Sequence, residues 1–442
     1  MTSFRPLTPP DWQPEIPLHR FGLDNGLTLL VLPDHRLPVV SLQLHYGVGS
    51  RHERPGITGI SHLFEHLMFR GTKDLGPEEF SRLLQAKGGE INAFTTRDNT
   101  SYFENLPAAH LELGLRLEAD RLVNLRLDEE NFQTEREVVL SERKLRAVDS
   151  PYGLAIELLY ATAYTQHPYQ WPVLGWDQDL RRLTLKDCLD YYLAYYHPGN
   201  LTVVIAGDAV PEAALDLVDR HFGGIPAPGA PPCVEVLEPP QRGERRARFK
   251  KVAQVEALFA GFHVADAGHP DILPLVLLGL LLAGGKSSRF YQRFIRPGLA
   301  VELDLELSIP PFCGQDRDLL VLSAAAAPGH PLEDLEKGLW EELEEFKDQG
   351  PAPGELETAK KVLKARLVQA LGKSFFRGLL AGLFHLKAGD AGRVNQMLKD
   401  YEAVTEADLV RTARQYLTPD NRTVILQIPV SQEESRNLGE LS

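Results

Sequence analysis

Thr184 to Ile205 reads TLKDCLDYYLAYYHPGNLTVVI, and Thr405 to Leu426 reads TEADLVRTARQYLTPDNRTVIL. Set 221 positions apart, the two stretches match without a gap at Thr184/Thr405, Asp187/Asp408, Tyr195/Tyr416, Pro198/Pro419, Asn200/Asn421, Thr202/Thr423 and Val203/Val424. Each copy predicts a threonine-capped helix, a proline turn and a β-branched strand. Part of the match therefore reflects shared local structure. The offset, however, is half of the 442-residue chain, which favours duplication of a whole domain over chance likeness. Two similar tandem α+β domains are expected. The boundary is expected where Pro226, Pro228, Pro231, Pro232, Pro239 and Pro240 cluster, giving domains over 15–225 and 245–442 joined by a stiff connector over 226–244.

Such a chain has an ordinary globular composition, 43% hydrophobic and 24% charged, and can bury cores without staples. With 47 basic against 61 acidic residues, it lacks the basic footprint that phosphate neutralisation needs, so no nucleic-acid partner is expected. Cys188, Cys233 and Cys313 form no CxxC pair and read as reduced packing residues. The first fourteen residues hold no apolar signal core, and the most apolar run, Ile272 to Ala283, is too short to span a bilayer. A cytoplasmic protein without membrane contact is expected.

The chemistry concentrates in His62-Leu63-Phe64-Glu65-His66. The segment follows strands over 26–32 and 39–44 and a glycine-containing loop, and its apolar neighbours predict a buried helix. Histidines four apart share a helix face and can reach one metal ion, with Glu65 close enough to hold a water beside it. The pattern is the reverse of HExxH. Burying it without a ligand would be expensive. Two histidines are too few for a catalytic zinc, so a third ligand must come from a distant element. The acidic helix over 129–146 is the natural donor. Glu135 and Glu142, two turns apart, share an inward face there with Val138 and Val139, so one can ligate while the other supports. One further strand is read near 90–103, and helices over 108–125 and 128–147.

The motifs Leu23-Asp24-Asn25-Gly26, His62 through Thr72, Asn92-Ala93-Phe94-Thr95, Glu135 through Glu142, His167-Pro168-Tyr169 and Tyr196 through Asn200 together resemble the M16 peptidases, the pitrilysin, insulin-degrading enzyme and mitochondrial processing peptidase family. The likeness covers nearly the whole first half and continues more weakly through the second. It implies His62, His66 and Glu142 as ligands of one zinc ion per chain, the glutamate standing 76 residues after the second histidine. It further implies Glu65 as general base, Glu135 as an accessory glutamate, and Asn92-Ala93-Phe94 as the sheet edge that receives substrate. The implied fold is a pair of α+β domains, each with a mixed, mainly antiparallel sheet packed with helices, closing like a clamshell on dimerisation.

The second half departs from the pattern. At the repeat offset the metal motif falls on Ala283-Gly284-Gly285-Lys286-Ser287, which cannot hold zinc. Arg296 stands where the family uses a cation for substrate, but the expected tyrosine position is Val301, which donates no hydrogen bond. A partner chain related to this one but lacking the metal motif is therefore expected to complete the site, a homodimer using Tyr291 being the alternative. Glu118 and Asp120 read as surface carboxylates, or else as partners of an imidazole. His110, His197, His263 and His385 read as surface or capping residues. The implied activity is zinc-dependent cleavage of short or unfolded peptides; the rivals are a non-catalytic scaffold subunit and a zinc hydrolase of another substrate.

Overall fold

The computed structural model describes residues 15–437, and the proline-rich start read above for a signal lies outside them. The strands of the first half are β1 (His19–Gly22), β2 (Thr28–Pro33), β3 (Val39–Tyr46), β4 (Glu90–Thr95), β5 (Thr100–Pro107) and β6 (Leu201–Gly207). Those of the second are β7 (Arg245–Val252), β8 (Ala257–His263), β9 (Ala300–Glu306), β10 (Leu319–Ala326) and β11 (Arg422–Val430). The helices that frame them include α1 (Ile60–Leu67), α2 (Leu111–Asn124), α3 (Glu129–Arg143), α4 (Gly153–Ala163), α5 (Leu185–Tyr195), α6 (Ile272–Ala283), α7 (Ser374–Ala388) and α8 (Glu406–Tyr416).

The repeated stretches fold alike down to single hydrogen bonds. Thr184 and Asp187 close a reciprocal cap on α5, as Thr405 and Asp408 do on α8. At the far end the side-chain amide of Asn200 donates to the Tyr195 carbonyl at 2.9 Å, and that of Asn421 to Tyr416 at 2.7 Å. These amides satisfy carbonyls that a helix end leaves open, which is why asparagine recurs after the proline turn.

The two sheets repeat one topology. The first runs β1-β2-β6-β3-β5-β4 and the second β7-β11-β8-β10-β9. In each, one pair is parallel (β2 with β6, β7 with β11) and the rest are antiparallel. The stretch near 90–103 is thus two strands: Thr96 to Asn99 turn the chain, and β4 pairs with β5 in the register Asn92↔Phe103 and Thr95↔Thr100. Polar Thr96 and Asn99 hold that turn through their own side chains, with Thr96 Oγ1 donating to Asn99 Oδ1 at 2.8 Å. Among the described residues β4 has no partner on its other side, so its outer backbone groups lie open at the sheet edge.

The halves exchange equivalent helices. α7, from the second half, packs on β6, β3 and β2 of the first sheet, burying Leu380, Ala381 and Phe384 with Leu30, Leu32, Val204 and Ala206. α4, its counterpart at the repeat offset, packs on β11, β8 and β7, burying Ala155 and Leu159 with Phe259 and Ile425. Close approach requires glycine on α7: a Cβ at Gly382 would lie 2.6 Å from the His45 ring and one at Gly378 2.8 Å from Gln43 Nε2. Gln43 returns the contact by donating to the Phe375 carbonyl at 2.8 Å.

The β4–β5 turn also joins the halves. Buried Asp98 accepts from Tyr169 Oη at 2.5 Å and from the Gln315 N–H at 2.9 Å, and pairs with Lys387 Nζ of α7 at 3.0 Å. Residues 226–243 hold no helix or strand and carry exposed Cys233, which is therefore not a packing residue; Cys188 and Cys313 are buried. Within that connector Glu238 accepts from the N–H groups of Thr165, Gln166 and His167 at 2.8–3.0 Å. Among the described residues no helix is long and apolar enough to cross a membrane.

Candidate metal centre

α1 carries six of its eight residues, Ile60, Ser61, His62, Leu63, Phe64 and Leu67, into the interior. Its start has no side-chain cap of its own; Gly59, at φ 89°, enters the helix where a Cβ would lie 2.6 Å from the Leu174 carbonyl. The cap comes instead from buried Glu53, which accepts from the Gly59 N–H at 2.8 Å, the Ser61 N–H at 2.8 Å and Ser61 Oγ at 2.6 Å. Burial pushes the Glu53 carboxyl up to about 8 against the pull of these three donors. Tyr191 of α5 donates to Ser61 Oγ at 2.7 Å and locks the same end. Glu53 has no motif to mark it in the sequence.

α3 lies against α1 and supplies the carboxylates. Glu142 Oε2 stands 3.4 Å from His66 Nε2 and 3.8 Å from His62 Nε2, and the three ligand atoms lie within 4.8 Å of one another. Ligands about 2.0–2.1 Å from a tetrahedral zinc are separated by about 3.4 Å, so this donor set fits the ion. Among the described residues this is the group of His, Cys, Asp and Glu side chains that converges so. Burial above all, with the charges of His66 and Arg146, depresses His62 to about 3, leaving the imidazole in its neutral, ligating form. At the end of α3 the chain widens into one π-type turn, Lys144–Val148, and from it Arg146 holds Glu142 Oε1 at 2.7 Å. Only Oε2 of Glu142 is then presented to the cluster.

Glu135 sits two turns earlier on α3, buried, and its Oε2 faces His66 Nδ1 at 3.0 Å while Oε1 pairs with Arg70. Burial works against the charges of both partners, but His66 and Arg70 together hold the Glu135 carboxyl below its usual range. On His66 burial is likewise outweighed, by Glu135, Glu65 and Glu142, and the imidazole is raised. The inward face of α3 is narrower than the sequence suggested: Val139 is buried but Val138 is 42% exposed.

Glu65 points toward β4, where Thr95 Oγ1 donates to its Oε2 at 2.5 Å. Burial raises its carboxyl above the ordinary glutamate range, partly countered by the Thr95 hydrogen bond. Asn92 is exposed on the open edge of β4, and Ala93 and Phe94 are half-buried there. The cluster, the base candidate and a free strand edge thus meet where α1 packs against β4.

Other sequence-predicted residues lie elsewhere. Arg296 is exposed and donates to Gln292 Oε1 at 2.9 Å on its own turn, and Val301 is 55% exposed at the start of β9. Glu118 is neither a surface group nor an imidazole partner: it is fully buried and binds Arg121 Nε at 2.8 Å, with buried Glu104 beside them. Asp120 accepts from the Asn124 side-chain amide on the same helix at 2.8 Å. His197 is buried and not a surface group, and His263 faces the Ala163 carbonyl at 2.9 Å.

Known proteins agree with this architecture. Residues 30–176 match the family described as Insulinase (Peptidase family M16), and residues 182–363 match the Peptidase M16 inactive domain. The chain is 32% identical over 428 residues to the zinc protease PqqE of Helicobacter pylori, covering 94% of each. It is 27% identical over 404 residues to the uncharacterized zinc protease YmxG of Bacillus subtilis, covering 91% of this chain and 96% of that one. The crystal structure of a protease from Helicobacter pylori superposes with a TM-score of 0.89 at 30% identity, over 94% of this chain and 100% of the other. The chain belongs to the M16 family of peptidases.

Proposed function

We propose that the chain is a zinc-dependent endopeptidase that cuts short or unfolded peptides. One observation carries the reading: two imidazoles and one carboxylate oxygen converge beside a half-buried glutamate and an open strand edge. His62, His66 and Glu142 would hold the ion. Bound zinc supplies a Lewis acid that polarises a carbonyl and makes water a nucleophile near neutral pH.

The chain's own residues do the rest. An extended peptide pairs with the outer edge of β4 through its backbone, which requires an unfolded segment but little particular sequence. Asn92, Ala93 and Phe94 form that edge. Among the described residues nothing bonds Glu65 Oε1, which is free to take a proton from water and return it to the leaving amine. Glu135 fixes the His66 ring through Nδ1, so that Nε2 faces the cluster.

The test separates binding from chemistry. Ala substitution of His62, His66 or Glu142 should abolish binding of one zinc per chain. Glu65→Gln should keep the metal and reduce peptide hydrolysis by about 10²–10⁴-fold, the usual contribution of a general base. Substantial peptidase activity in Glu65→Gln, with zinc bound, would sink the mechanism. A parent protein that binds zinc but cuts no peptide in any assembly would favour the scaffold reading.

A further inference from the structure

The strand that would receive the peptide and the side chain that would act as base are joined by one hydrogen bond. Thr95 is the last residue of β4, and its Oγ1 lies 2.5 Å from Glu65 Oε2, thirty residues away in sequence. The direction of that bond is fixed by its surroundings. Thr95 Oγ1 is also 3.4 Å from Thr100 Oγ1, its cross-strand partner, but Thr100 commits its proton to the Val48 carbonyl at 3.0 Å. The carboxylate oxygen is the nearer acceptor, at 2.5 Å against 3.4 Å, and when ionised has no proton to give, so the Thr95 hydroxyl donates to it. A short hydrogen bond to a charged oxygen is among the stronger ones a side chain makes.

The anchor itself is rigid. Thr95 is followed by the turn in which Thr96 and Asn99 bond one another, and Asp98 ties that turn to Tyr169, Gln315 and Lys387. The end of β4 is thus fixed to both halves of the molecule, while its outer edge stays open. A glutamate side chain has several staggered rotamers, and a carboxylate turned away from β4 would lose the Thr95 bond that sets the direction of its oxygens.

We propose that Thr95 is the positioning residue of the base: it holds Glu65 Oε2 so that Oε1 alone serves the reaction, and it registers that oxygen with a peptide docked on the same strand. This rests on the reading of Glu65 as base and β4 as docking edge given above. A misplacement of a reacting group by about 1 Å can cost about 100-fold in rate, whereas backbone pairing of the peptide does not involve the Thr95 hydroxyl.

The experiment compares Thr95→Val, Thr95→Ser and Thr95→Ala with Glu65→Gln, each as the zinc-loaded full chain, in the assembly in which the parent cleaves a fluorogenic unstructured decapeptide. Thr95→Val should lower kcat about 10- to 100-fold and leave KM within about twofold, with zinc content and Tm unchanged. Thr95→Ser should recover most of the loss. Added to Glu65→Gln, Thr95→Val should lower kcat no further, because the two act as one unit. A crystal structure of metal-free Thr95→Val should show the Glu65 carboxylate out of its present rotamer, a readout independent of activity. Parent-like kcat in Thr95→Val, or a Thr95→Ser protein as slow as the valine variant, overturns the proposal while Glu65→Gln is inactive. An active Glu65→Gln would instead remove the base assignment beneath it. Should the valine variant not fold, the serine and alanine variants make the same comparison.

Discussion

At His66 the ring has two jobs for its two nitrogens, and only one is visible in a motif. Nε2 faces Glu142, while Nδ1 is held by Glu135, whose other oxygen pairs with Arg70. Removing such an outer partner typically costs 10–100-fold in metal affinity. Glu135→Ala should therefore weaken zinc binding by about that factor, and Glu135→Gln by less, because an amide oxygen still accepts from Nδ1. Competition with a chromogenic chelator measures both; equal affinity in Glu135→Ala and parent would remove Glu135 from the site. The pairing of His62 with His66 and of Glu135 with Glu142 was legible because helical spacing puts each pair on one face; which glutamate joins the histidines came only from the family resemblance. Glu53 and the Thr95–Glu65 bond were not, since each depends on where two separate elements come to rest. Glu118 was misread because a carboxylate on a helix looks exposed until the strand carrying Glu104 is seen packed over it and Arg121.

Among the elements, the repeated helix-turn-strand was read well because its caps are local, with donor and acceptor three residues apart. The hairpin over 90–107 was read as one strand, since Thr96 to Asn99 turn without a glycine or proline to announce it. Nothing local could reveal the exchange of α4 and α7, because which sheet each covers is decided by contacts far away in sequence. That exchange buries His45, whose Nδ1 meets Ser101 Oγ at 2.8 Å and whose Nε2 meets Gln43 Oε1 at 3.1 Å, with Gly382 against the ring. Burial without a charged partner depresses His45 to about 3 from an ordinary value of 6.5. The unfolded chain then binds the extra proton between these values, so this stability is present above pH 6.5 and is lost as pH falls toward 3. Between pH 7 and pH 5 the loss from this one group is about 2 kcal/mol. His45→Asn should flatten the fall of the urea midpoint over that interval, whatever its effect at pH 7; an unchanged pH dependence would show that His45 carries no part of it.

For the whole molecule, the two-domain α+β architecture followed from the repeat. We propose a clamshell dimer in which a related chain without the metal motif supplies what this one lacks. Val301 is exposed on β9 and donates no hydrogen bond, and Arg296 is engaged with Gln292. A missing oxyanion donor costs about 10²–10³-fold in rate. Peptidase activity of the isolated chain should rise by about that factor on mixing with such a partner, with a heterodimer seen by analytical ultracentrifugation. Full activity of the chain alone, unchanged by the partner, would refute the two-subunit idea and leave the metal site untouched.

The exchange of helices also bears on how the chain is made. The first sheet is complete in sequence once β6 ends at Gly207, yet the helix that covers Leu30, Leu32, Val204 and Ala206 ends only at Ala388. At roughly 5–20 residues per second, a ribosome needs on the order of ten to thirty seconds to deliver it. During that interval the nascent chain holds α4 without the sheet it belongs to and a sheet without its cover. The apolar face of the first sheet therefore waits uncovered, and translation speed across the second half sets how long.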